Sequence, residues 1–286
     1  MKSRLFPCFI AAVFLLACSG NTSKKACLQQ DTSNSQPVTD NPQLNQQQTT
    51  NNKQQTDPKA ILAKKEVPIL CYHHFRVQAN GKLTDYSVVP ERFIAEMKLL
   101  ADSGYKTILP DQLYNYLVNG TAIPAKPVMI TFDDTDEEQF SLGKKEMDKY
   151  GFKGVFFIMT ISLNRPHYMT NENLKQLVNE GHVIGAHTWD HHMVTKYQGN
   201  DWEIQIDKPK KKLEDIIGKP IDYFAYPFGL WNEAAIPELK KRRFKMAFQL
   251  STHRDTTDPL YTIRRIIIDG HWTPDGMLRA MKASFH

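Results

Sequence analysis

Cysteine is scarce in this sequence, and its few copies stand where they cannot brace a fold. Of the four, Cys8, Cys18 and Cys27 precede residue 60, and only Cys71 lies beyond it. One thiol excludes a disulfide within the long C-terminal part. Cys71, in Pro68-Ile69-Leu70-Cys71-Tyr72, reads as a small buried residue of a strand. An excess of one charge sign is also lacking. The formal net charge is +5, but Lys2 and Arg4 supply two of those charges and residues 19–59 one more, leaving +2 on residues 60–286. That is too little for the basic face a nucleic acid requires, so no nucleic-acid partner is expected. The N-terminal apolar run Leu5–Ala17 has only 13 residues, short of the ~20 that a membrane-spanning helix needs.

That run fits instead a secretory signal core behind the basic start Met1-Lys2-Ser3-Arg4. Its end, Leu15-Leu16-Ala17-Cys18, resembles a bacterial lipobox. The expectation is a signal peptide over 1–17 and a lipidated Cys18 that anchors the chain to a membrane. Residues 18–59 then form a tether. Gln, Asn, Thr and Ser dominate it and aliphatic side chains almost vanish, so it cannot bury enough surface to offset its chain entropy. About 40 residues of coil reach ~35 Å. The expected location is the cell envelope, at an outer-membrane, periplasmic or cell-surface face, with residues 60–286 as a single domain and a monomer.

In that domain, short apolar or β-branched runs recur at 69–72, 105–109, 128–132, 155–158, 183–186, 223–226, 246–250 and 261–268. Helical patterns separate several of them. Phe93, Met97 and Leu100 follow Pro90 and stop before Gly104; Leu174, Leu177 and Val178 follow Thr170 and end at Gly181. Strands alternating with helices imply an α/β fold with a parallel sheet under helical cover. About eight strands in such a length suggest an irregular (β/α) barrel, whose chemistry sits at the C-terminal strand ends.

Three strand ends stand out. Val128-Met129-Ile130-Thr131-Phe132 runs into Asp133-Asp134-Thr135. Two carboxylates this close repel, and a divalent cation relieves them, although solvated turn aspartates are common. Val183-Ile184-Gly185-Ala186 runs into His187-Thr188-Trp189-Asp190-His191-His192. Imidazoles four apart meet on one side of a helical turn, as metal ligands often do. Tyr223-Phe224-Ala225 runs into Tyr226-Pro227-Phe228-Gly229, a rigid turn that fixes backbone N–H groups and one ring.

Taken in order, these segments resemble the polysaccharide deacetylases of carbohydrate esterase family four, which share the NodB-homology domain. Thr131-Phe132-Asp133-Asp134 matches the first motif, His187-Thr188-Trp189-Asp190-His191 the second, and Ala225-Tyr226-Pro227-Phe228-Gly229 a variant of the third. The likeness spans roughly residues 66–270 and is greatest to enzymes acting on envelope or exopolysaccharide N-acetylglucosamine. It implies Asp134, His187 and His191 as ligands of a divalent metal, with Zn²⁺ favoured and Co²⁺ or Ni²⁺ compatible. It further implies Asp133 as general base, the Phe228 N–H as an oxyanion donor, Tyr226 and Phe228 at the substrate, and an acetylated polysaccharide as that substrate.

Several positions depart from the family pattern. Thr135 replaces a usual Gly, and Ala225 replaces the Arg that pairs with the base; Arg264 or Arg265 is expected to take over that pairing. His192 is an alternative second imidazole. No Leu-x-His motif supplies a general acid, for which His271 is the remaining candidate, while His73 and His74 end the first strand and either line the site or bond locally. Trp189, Trp231 and Trp272 are candidates for stacking on sugar faces. An O-acetyl esterase on another glycan, or a binding relative without catalysis, are the other readings.

Overall fold

The computed structural model describes residues 57–75, 84–250 and 253–285. The expected signal peptide, Cys18 and nearly all of the expected tether lie outside the described residues. Helix α1 (Pro58–Leu62) straddles the expected start of the domain, because Asp57 caps it through Lys59 N and Ile61 is buried. The folded part therefore reaches back to Asp57.

Among the described residues eight strands follow: β1 (Ile69–Tyr72), β2 (Lys106–Thr107), β3 (Pro127–Phe132), β4 (Gly154–Ile158), β5 (Val183–Ala186), β6 (Tyr223–Ala225), β7 (Met246–Phe248) and β8 (Ile266–Ile267). Every pairing is parallel, in the order β7-β6-β5-β4-β3-β1-β8, with β2 beside β3. The expected last strand, 261–268, is instead a tight turn at Pro259–Tyr261 followed by a short two-sided segment. Ile263 N donates to Ala247 O and Gln249 N to Ile263 O, whereas β8 itself pairs with β1. One segment thus joins both edges of the sheet and curves it into an irregular barrel.

Helices α2 (Pro90–Asp102), α3 (Pro110–Asn119), α4 (Lys145–Asp148), α5 (Asn171–Asn179), α6 (Lys208–Ile217), α7 (Ala235–Lys241) and α8 (Pro274–Ser284) connect the strands. Proline opens α2, α3 and α8 where its missing N–H is harmless, and Thr170 caps α5 by accepting from Asn173 N at 3.2 Å. Strand residues divide by parity. Leu70, Ile130, Phe156 and Phe224 join the helices Phe93, Leu174 and Met277 belong to, whereas Ile69, Met129, Phe157 and Phe248 pack with Ile61, Leu113 and Leu117. The second set fills the barrel. Gly185 makes room for it, since a Cβ there would sit 2.5 Å from the Phe157 ring. Toward the C-terminal strand ends the filling turns polar, with Thr131, Asp133, His187 and Arg265 all buried. Cys71 is buried as expected, and burial raises its thiol pKa.

Candidate active site and metal centre

The end of β3 supplies both carboxylates. Asp133 is buried, and Arg265 grips it with two hydrogen bonds, Nη1 to Oδ1 at 2.7 Å and Nη2 to Oδ2 at 2.8 Å. Arg265 is itself fixed, donating Nε to Gln249 O and Nη1 to Thr131 Oγ1. Burial pushes the Asp133 carboxyl up, but Arg265 and then His187 outweigh it and hold the pKa at about 2. Of the two arginines expected to take this role, Arg264 is engaged elsewhere, with Glu66 at 2.6 Å.

Asp134 turns the other way because its backbone is left-handed, with φ 75°. Its Oδ1 lies 3.5 Å from His187 Nε2 and 3.5 Å from His191 Nε2. His187 Nδ1 lies 2.8 Å from Ala225 O and donates to it, which leaves the Nε2 lone pair facing Asp134. Asp134 Oδ1 and His187 Nε2 are buried with no hydrogen-bond partner. Burying such atoms unpaired is costly, and a divalent cation satisfies both at once. One carboxylate oxygen and two imidazole nitrogens within 4.8 Å of one another form a donor set that fits such an ion. Burial pushes the His187 pKa down, but Asp133 and Asp134 raise it overall; burial and the neighbouring His187 lower that of His191 to about 4.

The two imidazoles do not meet on a helical turn, as their spacing suggested. They meet, with ring centroids 4.9 Å apart, because Thr188 and His191 are both left-handed, and Thr188 Oγ1 accepts from His191 N at 2.9 Å. His192 points elsewhere and stacks on Tyr197. Five of the eight left-handed non-glycine residues among those described lie in the three motifs or directly after the first: Asp134, Thr135, Thr188, His191 and Phe228. Strain of this kind persists where surroundings over-determine it. Thr135 shows how: its Oγ1 accepts from Met159 N at 2.8 Å and its carbonyl from Met169 N at 3.0 Å. A β-branched residue can therefore occupy the position where the family has glycine.

In the third motif, the exposed Phe228 ring stands 4.3 Å from that of His191. Gly229 is required beside it, since a Cβ would meet Leu250 Cγ at 2.6 Å. Tyr226 corrects an expectation. Its side chain is fully buried in the helix-facing cluster, edge-on to Phe224, so it packs the strand and does not reach a substrate. Of the three tryptophans expected as candidates for stacking, Trp189 is exposed, Trp231 donates Nε1 to Gln249 Oε1, and Trp272 packs against the core. His271 lies on the rim, its Nδ1 2.7 Å from Asp269 Oδ1. A His73 ring nitrogen, Cys71 Sγ and an Asp133 oxygen lie within 4.8 Å of one another, and His74 pairs with Asp136.

Two glutamines escaped sequence reasoning. Gln139 Nε2 donates to His73 O at 2.7 Å and also to Asp133 O, tying the ends of β1 and β3. Gln205 Oε1 accepts from Trp189 N and Asp190 N, bracing the second motif. Each sits in a π-helical stretch, Gln139–Lys144 and Glu203–Asp207, a wide turn that often marks functional sites. No local sequence signal separates them from other glutamines.

The sequence model described as polysaccharide deacetylase matches residues 121–247. A poly-beta-1,6-N-acetyl-D-glucosamine N-deacetylase of Staphylococcus aureus is 25% identical over 240 residues, covering 74% of this chain and 82% of that protein. Over that stretch the chain is similar to the polysaccharide deacetylase family. Two solved structures share the deacetylase fold. A Streptococcus pyogenes deacetylase in complex with acetate superposes with a TM-score of 0.68 at 22% identity, over 76% of this chain and 98% of that one. The IcaB protein of Ammonifex degensii gives 0.65 at 22%, over 77% and 97%. The matched residues of this deacetylase hold all three motifs, while Arg265 lies outside them.

Proposed function

We propose that this deacetylase removes acetyl groups from N-acetylglucosamine units of an envelope polysaccharide or exopolysaccharide. The observation that carries the reading is the pair of adjacent carboxylates held in different states: Asp133 clamped by Arg265, and Asp134 facing two imidazole nitrogens. The substrate of the S. aureus relative supports the choice of sugar. Asp134, His187 and His191 would hold a divalent ion, with zinc proposed from the donor set. Such an ion, when bound, polarises the acetyl carbonyl and acidifies a water. Asp133 takes the proton of that water as general base; Arg265 keeps its carboxylate ionised and aimed. The hydrogen bond from Nδ1 to Ala225 O holds His187 in the tautomer whose Nε2 is a ligand. The Phe228 N–H, in a turn set by Pro227 and Gly229, donates to the developing oxyanion. Acetate and a glucosamine unit leave.

Lipidation of Cys18 and the polar tether of residues 19–59 would hold this domain at the cell envelope. Acetate release from N-acetylglucosamine oligomers by metal-replete protein, with elemental analysis of the metal, tests the catalytic reading. A metal-loaded protein that frees no acetate from any such glycan would sink it. Release from O-acetylated xylan alone would move the activity to the ester substrate.

A further inference from the structure

Six large hydrophobic side chains among the described residues are exposed, and four of them stand on loops that leave C-terminal strand ends. Tyr86 follows β1, Trp189 follows β5, and Phe228 and Leu230 follow β6. Scattered exposed apolar residues need no explanation, but a group gathered around one site marks a binding surface. Tyr86 is the most exposed of them, at 52%. Its ring stands edge-on to His73 at 5.5 Å, and a His73 ring nitrogen lies within 4.8 Å of an Asp133 carboxylate oxygen. Beyond Asp133 the line of rings continues through His187 and His191 to Phe228. Strand order sets Tyr86 and Phe228 on opposite flanks of the carboxylates, since β3, β4 and β5 lie between β1 and β6.

Tyr86 is also held in place. His74 N donates to its carbonyl at 3.1 Å, and its neighbour Ser87 lies against Gly270, where a Cβ would come within 2.0 Å of Ser87 O. The chain neighbour of Tyr86, Asp85, is exposed and lies 3.7 Å from His271 Nδ1, and Asp269 accepts from His271 N at 2.7 Å. An exposed aromatic ring held edge-on to His73 near the site matches a pyranose, which presents C–H bonds on its faces.

We infer that Tyr86 is a platform for the sugar unit next to the one being deacetylated, so that the enzyme selects glycan chains over single acetylated sugars. This rests on the deacetylase reading above and assigns the residue that sets chain-length preference. Tyr86 is a specificity residue and touches none of the reacting atoms.

The test measures kcat/KM for acetate release from β-1,6-linked N-acetylglucosamine oligomers of one to five units, with wild type, Tyr86→Ala and Tyr86→Phe. Wild type should favour longer oligomers, and Tyr86→Ala should lower the ratio of pentamer to monomer kcat/KM about tenfold, with Tyr86→Phe within about twofold of wild type. An unchanged ratio in Tyr86→Ala, or an equal loss on every length, overturns the platform. Calorimetric titration with the deacetylated pentamer needs no turnover and separates this inference from the deacetylase reading. Affinity about tenfold weaker in Tyr86→Ala supports the platform even if no acetate is released, and equal affinity overturns it.

Discussion

Strand β5 has a histidine beyond each end, and the contrast between them explains why only one end is built for catalysis. His182 precedes the strand and groups with Asp148 and Glu180; His187 follows it and faces Asp134 and His191. Both groups have metal-ligand composition. At the first, Lys144 and Lys153 already answer the carboxylates: Lys144 pairs with Asp148 and Glu180, and Lys153 with Asp148 at 2.8 Å. There His182 Nδ1 accepts from Gly154 N at 3.0 Å, so the proton sits on Nε2 and no lone pair faces the carboxylates. At the second end, Ala225 O takes the Nδ1 proton and leaves Nε2 as a ligand. Arg265, a cation at that end, is spent on Asp133. Which neighbour each Nδ1 meets, and where the cations sit, distinguishes an ion-pair network from a metal centre.

The largest expected effect lies at the catalytic end. Asp133→Asn should lower kcat for acetate release by about 10³-fold, within the usual range for a general base, while metal content stays at the wild-type level. Loss of metal in that variant would instead make Asp133 a ligand. Arg265→Ala strips a buried carboxylate of its partner and should destabilise the fold by about 3–5 kcal/mol in urea unfolding. Arg265→Lys should recover part of that stability but little of the activity, because an ammonium cannot form both bonds. Activity of the Lys variant near wild type would show that a point charge suffices.

The other end of β5 should respond to pH. Burial, followed by Lys153, lowers the His182 pKa to about 4, below the ~6.5 of a free imidazole. The neutral ring therefore favours the folded state above pH ~6.5, and that contribution is lost as pH falls toward about 4. Its full size is on the order of 3 kcal/mol. Urea midpoints of His182→Gln should fall less than those of wild type across this window; an identical fall would remove His182 as the cause. Zinc at about 100 times its Kd should stabilise wild type by about 2.7 kcal/mol. That gain should vanish in Asp134→Ala and persist in His182→Gln, and its loss in the latter would place the metal at the wrong end of the strand. The smallest effect is expected for Lys144→Met, about 1 kcal/mol, with metal stoichiometry unchanged. A second bound metal in that variant would show that lysine alone keeps the His182 cluster from being a site.

Much of the catalytic end was legible in the sequence because its parts are local. The Asp133–Asp134 pair and His187 each end an apolar run, and His191 follows His187 four residues on. Strand ends were less legible. The expected strand at 105–109 shortened to Lys106–Thr107, and the one at 261–268 broke at a turn, because the short last segment has to serve two neighbours. Tyr226 was misread for a similar reason: parity along β6 turns Ala225 toward the barrel and Tyr226 toward the helices.

By itself, the sequence determined the alternation of strands and helices, the order of the three motifs and the residues able to ligate a metal. Each of these depends on neighbours a few residues apart. Only the tertiary structure decided that Arg265 rather than Arg264 clamps Asp133, across 132 residues of chain. It alone decided which proton each histidine of β5 keeps and that Gln139 and Gln205 brace the loops. A buried charge or tautomer is set by whatever closes over it, and barrel closure brings together groups that no sequence spacing relates.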